Sequence, residues 1–225
     1  MIELHDIGTS RRDTTWAKTR HLLALPMFER AGTRGWVHRS LRLWIATSRR
    51  DVREVSTILL ERHYLRRRAT PPRTLTINYL AALDGGEGAG ALAQIALLPS
   101  NLGPLRRELG LHACEVLTLT RLWRADDLTP DVAPDLTPEV VRRVVRRLAA
   151  DWAERKSANL KTRPRLLVSY CDPAHGHDGA TYTSAGAVSM GPTRGGKLLF
   201  AWALDPLLRE SLRVYAQTLM QVPKA

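Results

Sequence analysis

The chain has 225 residues, of which 44% are hydrophobic and 25% charged, enough apolar side chain for one packed core with an extension and too much for a wholly disordered protein. Its formal net charge is +12, and 16 of the 34 Lys+Arg but only 7 of the 22 Asp+Glu fall in the first 75 residues, which points to an acidic partner lying against that third of the chain. No apolar run approaches the roughly 20 residues needed to cross a bilayer and the N-terminus is polar, so the sequence reads as that of a cytoplasmic protein with no membrane partner.

Residues 1–50 mix arginine pairs with Trp16, Trp36 and Trp44 and show only a short apolar period from Leu41 to Ile45. They read as a basic N-terminal arm ahead of a domain over 51–225. From Asp51 to Arg68, Val52, Val55, Ile58, Leu59 and Leu65 recur at helical spacing, and Arg66, Arg67 and Arg68 stand before Pro71 and Pro72; this predicts an amphipathic helix with a basic end. Leu75 to Leu83 and Ala91 to Leu98 flank a glycine-rich turn and predict a β-hairpin, and Ala113 to Trp123 predicts another strand. Thr137, Pro138 and Glu139 then supply an N-cap, a first-turn proline and a first-turn acid. The helix they start carries an apolar stripe of Val140, Val141, Val144, Val145, Leu148 and Trp152, with Arg142, Arg143, Arg146 and Arg147 on the opposite face. Leu166 to Tyr170 predicts a short buried strand, the stretch 171–179 a loop, and Ala187 to Met190 and Leu198 to Leu204 two more strands. Cys114 and Cys171 have no close-spaced partner and read as reduced thiols.

This order of elements resembles the GNAT acyltransferase superfamily, and Tyr182 to Gly186 followed by Gly191 resembles its tyrosine and glycine pattern, with Ala187 where an aromatic residue is usual. Arg121-Leu122-Trp123, the run from Asp172-Pro173 through Gly176, His177 and Gly179 to Tyr182, and His63-Tyr64 together resemble the Mom-like family of phage DNA-modification proteins over roughly residues 51–204. The resemblance implies a GNAT-like α/β fold: a mixed, mostly antiparallel central sheet flanked by helices, with a splayed parallel strand pair at the active site. It implies an enzyme that carbamoylmethylates the N6 amine of adenine in DNA, shielding phage or prophage DNA from restriction. Residue by residue, Asp172 and Tyr182 would be catalytic, His63 and Tyr64 would line the site, and Arg121 would help seat an acyl donor such as acetyl-CoA. Iron is a possible further cofactor through His63 and Tyr64. An acyltransferase acting on another amine, or a DNA-binding protein without catalysis, is the alternative.

Adenine N6 is a poor nucleophile because its lone pair is delocalised, so a base must take its proton as the new bond forms. Asp172, just after a buried strand, suits that role, and Tyr182 suits that of a general acid. A base in duplex DNA must be flipped out to react. Tyr64, Tyr79 and Trp123 are candidates to stack on it, and Arg66, Arg67, Arg68 and Arg73 to hold the flanking phosphates. The segment between Trp123 and Thr137 lacks glycine and carries four aspartates, so either Arg142 and Arg143 hold the donor's pyrophosphate or the donor is not coenzyme A. Plainer readings stand beside these: Asp172-Pro173 as turn punctuation, Tyr182 as core, His63 as a helix-end histidine, the arginine face as solvated surface. His175-Gly176-His177 is too short a set for a metal site.

Overall fold

The computed structural model describes residues 25–30, 36–65, 75–83, 88–98, 102–154 and 163–221, with side chains described from residue 40 onward. In chain order the elements are β1 Leu25–Arg30, β2 Trp36–Ile45, α1 Arg49–Thr57, β3 Thr76–Leu83, β4 Ala91–Ala96, α2 Gly103–Glu108, β5 Val116–Arg124, α3 Leu136–Glu154, β6 Leu166–Cys171, α4 Ala180–Ser184, β7 Val188–Pro192, β8 Leu198–Ala203 and α5 Arg209–Gln221. The strands form one sheet in the order β1-β2-β3-β4-β5-β6-β8-β7. Every neighbouring pair is antiparallel except β5 and β6, joined by the α3 crossover. This is the mixed, mostly antiparallel architecture with one parallel pair expected from the sequence.

Period-two alternation sorts the side chains between two layers. Leu117, Leu167 and Trp202 face α3, whose Val140, Val144 and Leu148 cover them. Their neighbours Val116, Leu166 and Ala201 point the other way, onto Leu105 of α2 and Leu212 and Ala216 of α5. Full burial of a leucine such as Leu117 or Leu148 is worth about 1.5–3 kcal/mol. On that second face, Val55 and Ile58 pack against Leu80, Leu92 and Trp123. The sequence assigned no element to residues 25–45, yet Leu41 and Leu43 alternate into the core as part of β2, paired with β3. Helices α2 and α5 were likewise unassigned; each has a short apolar stripe that only the sheet's second face completes.

Two local irregularities matter for the site. Helix α1 opens on a capping box between Ser48 and Asp51 and runs into a π turn, Ile58–Arg62, closed by a 2.7 Å bond from the His63 N–H to the Ile58 carbonyl. In β5, Arg121 faces Gln94 and Leu119 faces Ile95, so Thr120 is an extra residue on that strand and bends it. Strands β5 and β6 pair only from Val116–Leu119 against Leu166–Ser169. Beyond that point β5 continues with β4 and β6 with β8, which is the splay the resemblance implies.

Candidate active site

The π turn delivers His63 and Tyr64 to the splay. His63 is 2% exposed. Its Nδ1 accepts a 3.2 Å bond from the Leu65 N–H. Burial, then the nearby Arg121 charge and His177, push its pKa down to about 4, with a hydrogen bond to the Leu122 backbone working the other way. A bond that favours the protonated ring is one the ring donates, so both nitrogens are engaged and the imidazole is neutral near pH 7. His63 is therefore a clamp between the end of α1 and β5. The tyrosine beside it is 52% exposed and stacked on it at 4.5 Å, with the rings of His175 and His177 at 5.3 and 5.2 Å.

Those histidines come from the loop after β6. Asp172 caps a short 3₁₀ turn, Pro173–His175, by accepting the Ala174 N–H at 3.1 Å. Its second oxygen lies 3.4 Å from His175 Nδ1 and 3.7 Å from Lys197 Nζ. Gly179 then starts α4 at φ +84°, where a Cβ would fall 2.0 Å from the Phe200 ring; the position admits only glycine.

From α4, Tyr182 lays its ring against Phe200 and Trp202 at 5.3 and 5.6 Å. Its phenol reaches the point of divergence, beside Ser169, whose hydroxyl donates to the Leu119 carbonyl across the last β5–β6 pair. Desolvation pushes the phenol up to about 12, against the opposing pull of the Ser169 hydroxyl. Thr120 bonds the Gln94 carbonyl at 3.1 Å, and Gln94 bonds Asn78 at 2.8 Å, so a polar ladder runs from the bulge into the core.

The structure thus brings His63, Tyr64, Arg121, Asp172 and Tyr182 to one region, with Tyr182 on the α3 side and Tyr64 at the end of a helix packed on the other. No hydrogen bond joins Asp172 to Tyr182 among the described residues; His175 and Lys197 stand on the carboxylate instead. Other expectations are corrected. Tyr79 is fully buried with its hydroxyl on Asp151 at 2.8 Å, so it has no face for a base. Trp123 packs beneath α1 with Leu80 and Leu92 and is a core residue too. Arg143, 5% exposed, is spent on Glu139 and on the Leu41 carbonyl, 2.6 Å away, and cannot reach a cofactor. Arg142 lies in the second turn of α3, holding Glu139 and the Ser184 carbonyl. Arg66, Arg67, Arg68 and Arg73 lie outside the described residues. Sequence reading missed Ser169 and the part His175 plays beside Asp172; the signal for the first was a lone hydroxyl inside the apolar run Leu-Leu-Val-Ser-Tyr-Cys.

Residues 125–135, ahead of α3, offer no glycine turn to the diphosphate of a coenzyme A donor and include the exposed Asp126, Asp127, Asp131 and Asp135. Nor do the residues fit iron. Both His63 nitrogens are occupied, and no cluster of three metal-ligating side chains exists among the described residues.

No protein-family profile matches the chain, and no curated protein matches its sequence. Among solved structures it is similar to aminoglycoside acetyltransferase AAC(6')-Ib in complex with coenzyme A, at 15% identity and a TM-score of 0.48, over 78% of this chain and 98% of that one. It is also similar to the GNAT domain of S. lividans PAT, at 12% identity and a TM-score of 0.49 over 80% and 97% of the two chains. A third is an acetyltransferase of Sphaerobacter thermophilus, at 12% identity and a TM-score of 0.43 over 79% and 98%. No helix among the described residues is long and apolar enough to cross a membrane.

Proposed function

We propose that the protein is a group-transfer enzyme that modifies the N6 amine of adenine in DNA, the chemistry implied by its resemblance to the Mom-like family. The observation that carries this reading is the meeting of Tyr64, His175, His177 and Tyr182, from segments distant in sequence, where β5 and β6 part.

Each group has work suited to its setting. Tyr64 offers a half-exposed ring to an extruded base, a contact worth about 1–3 kcal/mol. Asp172 holds the His175 imidazole through Nδ1, and the pair takes the amine proton as N6 bonds to the transferred carbon and the donor's bond to its leaving group breaks, the electron pair departing with that group. Tyr182 stays protonated at any physiological pH. A phenol near 12 is a weaker acid than a thiol of about 8.5, so its part is a hydrogen bond to charge developing in the cleft rather than full proton release. The surplus of +12 draws a polyanion to these groups.

The experiment is to express the protein, digest host DNA to nucleosides and weigh deoxyadenosine by mass spectrometry. A mass adduct on deoxyadenosine is expected from the native chain and not from Tyr182→Phe. Unaltered deoxyadenosine alongside a newly acylated RNA base, protein or small amine would overturn the DNA assignment in favour of an acyltransferase with another acceptor.

A further inference from the structure

The four arginines on the outer side of α3 part company in the structure. Arg143 turns inward to Glu139 and β2, and Arg147 to Asp151. Arg142 and Arg146 instead line a cleft of about 300 Å³ together with Arg209 and Arg213 of α5. Its place follows from the strand register. Strand β7 begins with Val188 opposite Ala201, so Trp202 and Ala203 run on past it and leave a gap at the sheet edge. Ala203 pairs with Leu166, the first residue of β6, which puts the gap at the opposite end of that strand from the splay. The cleft is bounded by α3 on one side and α5 on the other.

Its lining contains four arginines and no acid. Arg142 is fixed by Glu139 and the Ser184 carbonyl, and Glu139 is already shared with Arg143. Arg213 lies 3.8 Å from Glu210 at the surface. The Arg146 and Arg209 side chains make no hydrogen bond or ion pair among the described residues. Guanidinium groups gathered from two helices repel one another unless an anion lies among them; their forked donors match the oxygens of carboxylates and phosphates, and of the two a phosphate brings more negative charge to set against four cations. The volume sits at the small end of ligand sites and suits one or two phosphates with what they esterify.

We propose that this cleft is a phosphate-binding site, separate from the splayed site and independent of the reaction performed there. Its ligand is a phosphate or diphosphate ester, drawn either from a nucleic-acid backbone or from a small nucleotide-like molecule.

The test titrates inorganic pyrophosphate into the full chain by calorimetry, and a labelled DNA duplex by fluorescence anisotropy. The variant carries Arg146→Glu and Arg209→Glu, both at exposed positions, and the control carries Arg53→Glu and Arg194→Glu, equally exposed but away from the cleft. Pyrophosphate should bind the native chain saturably, with affinity falling by about tenfold or more in the variant and by less than about twofold in the control. A duplex that displaces pyrophosphate and weakens in step identifies the backbone as the source; a duplex indifferent to the variant identifies a small phosphate ester. Absence of saturable pyrophosphate binding, or equal loss in variant and control, would overturn the proposal. Neither readout depends on adenine modification, so failure here leaves that reading standing, and the converse holds.

Discussion

Two tyrosines on the α3 side of the sheet meet opposite fates. Between β3 and β4 the strands stay paired, Tyr79 is enclosed, and its hydroxyl is taken by Asp151, which Arg147 holds through a second bond of 2.9 Å. At β5 and β6 the strands part, and the desolvated Tyr182 phenol lies at the point of divergence with the Ser169 hydroxyl beside it. The residue type is the same in both places. Where the sheet is closed the hydroxyl is held by a carboxylate, whereas at the splay its neighbour is an uncharged hydroxyl.

Substitutions can break that contrast, and the largest effect should come at the open end. Tyr182→Phe should lower adenine modification by about 10²- to 10³-fold with stability changed by no more than about 1 kcal/mol; a matched fall in melting temperature would return Tyr182 to the core. At the closed end the pattern should invert. Asp151→Ala strands the Arg147 charge and the Tyr79 hydroxyl, and denaturant titration should show a loss of about 3 kcal/mol, with residual activity tracking the folded fraction alone. Gly179→Ala sharpens the boundary between the two, since its Cβ would strike Phe200 beneath Tyr182. A loss of more than about 2 kcal/mol together with lost turnover is expected, and a neutral outcome in melting experiments would refute the packing described.

The smallest effect is one of pH. Because the folded His63 titrates near 4 and a free histidine near 6.5, the unfolded chain binds the extra proton between those values. The stability tied to neutral His63 is fully present above 6.5 and drains away as the pH falls toward 4. Denaturation midpoints at pH 7 and pH 5 should differ more for the native chain than for His63→Gln.

The same contrast explains what was legible in the sequence. Strands β3 through β6, β7, β8 and helix α3 announce themselves through local periodicity, and the parallel pair follows from the strand, helix, strand order. The arms of the sheet were harder. Strand β2 alternates only from Leu41 to Ile45, and α5 has a stripe that means little without the face it covers. For the site, motif resemblance brought His63, Tyr64, Asp172 and Tyr182 to one neighbourhood, but it could not say which hydroxyls and guanidiniums the core would absorb. Tyr79 and Arg143 look in sequence like surface-seeking groups, and long-range partners, Asp151 for the one and the Leu41 carbonyl for the other, decide otherwise. Conversely, His175 reads as loop filler until the turn capped by Asp172 folds it back beside Tyr64.

The widened last turn of the first helix has a mechanical corollary. Each residue of an ordinary helix rotates the chain by about 100°, so a five-residue loop where four would close it acts as an angular offset for everything downstream. Deleting one residue between Ile58 and Arg62 would restore regular winding and swing Tyr64 away from the histidine loop, undoing the proposed site without replacing any of its side chains.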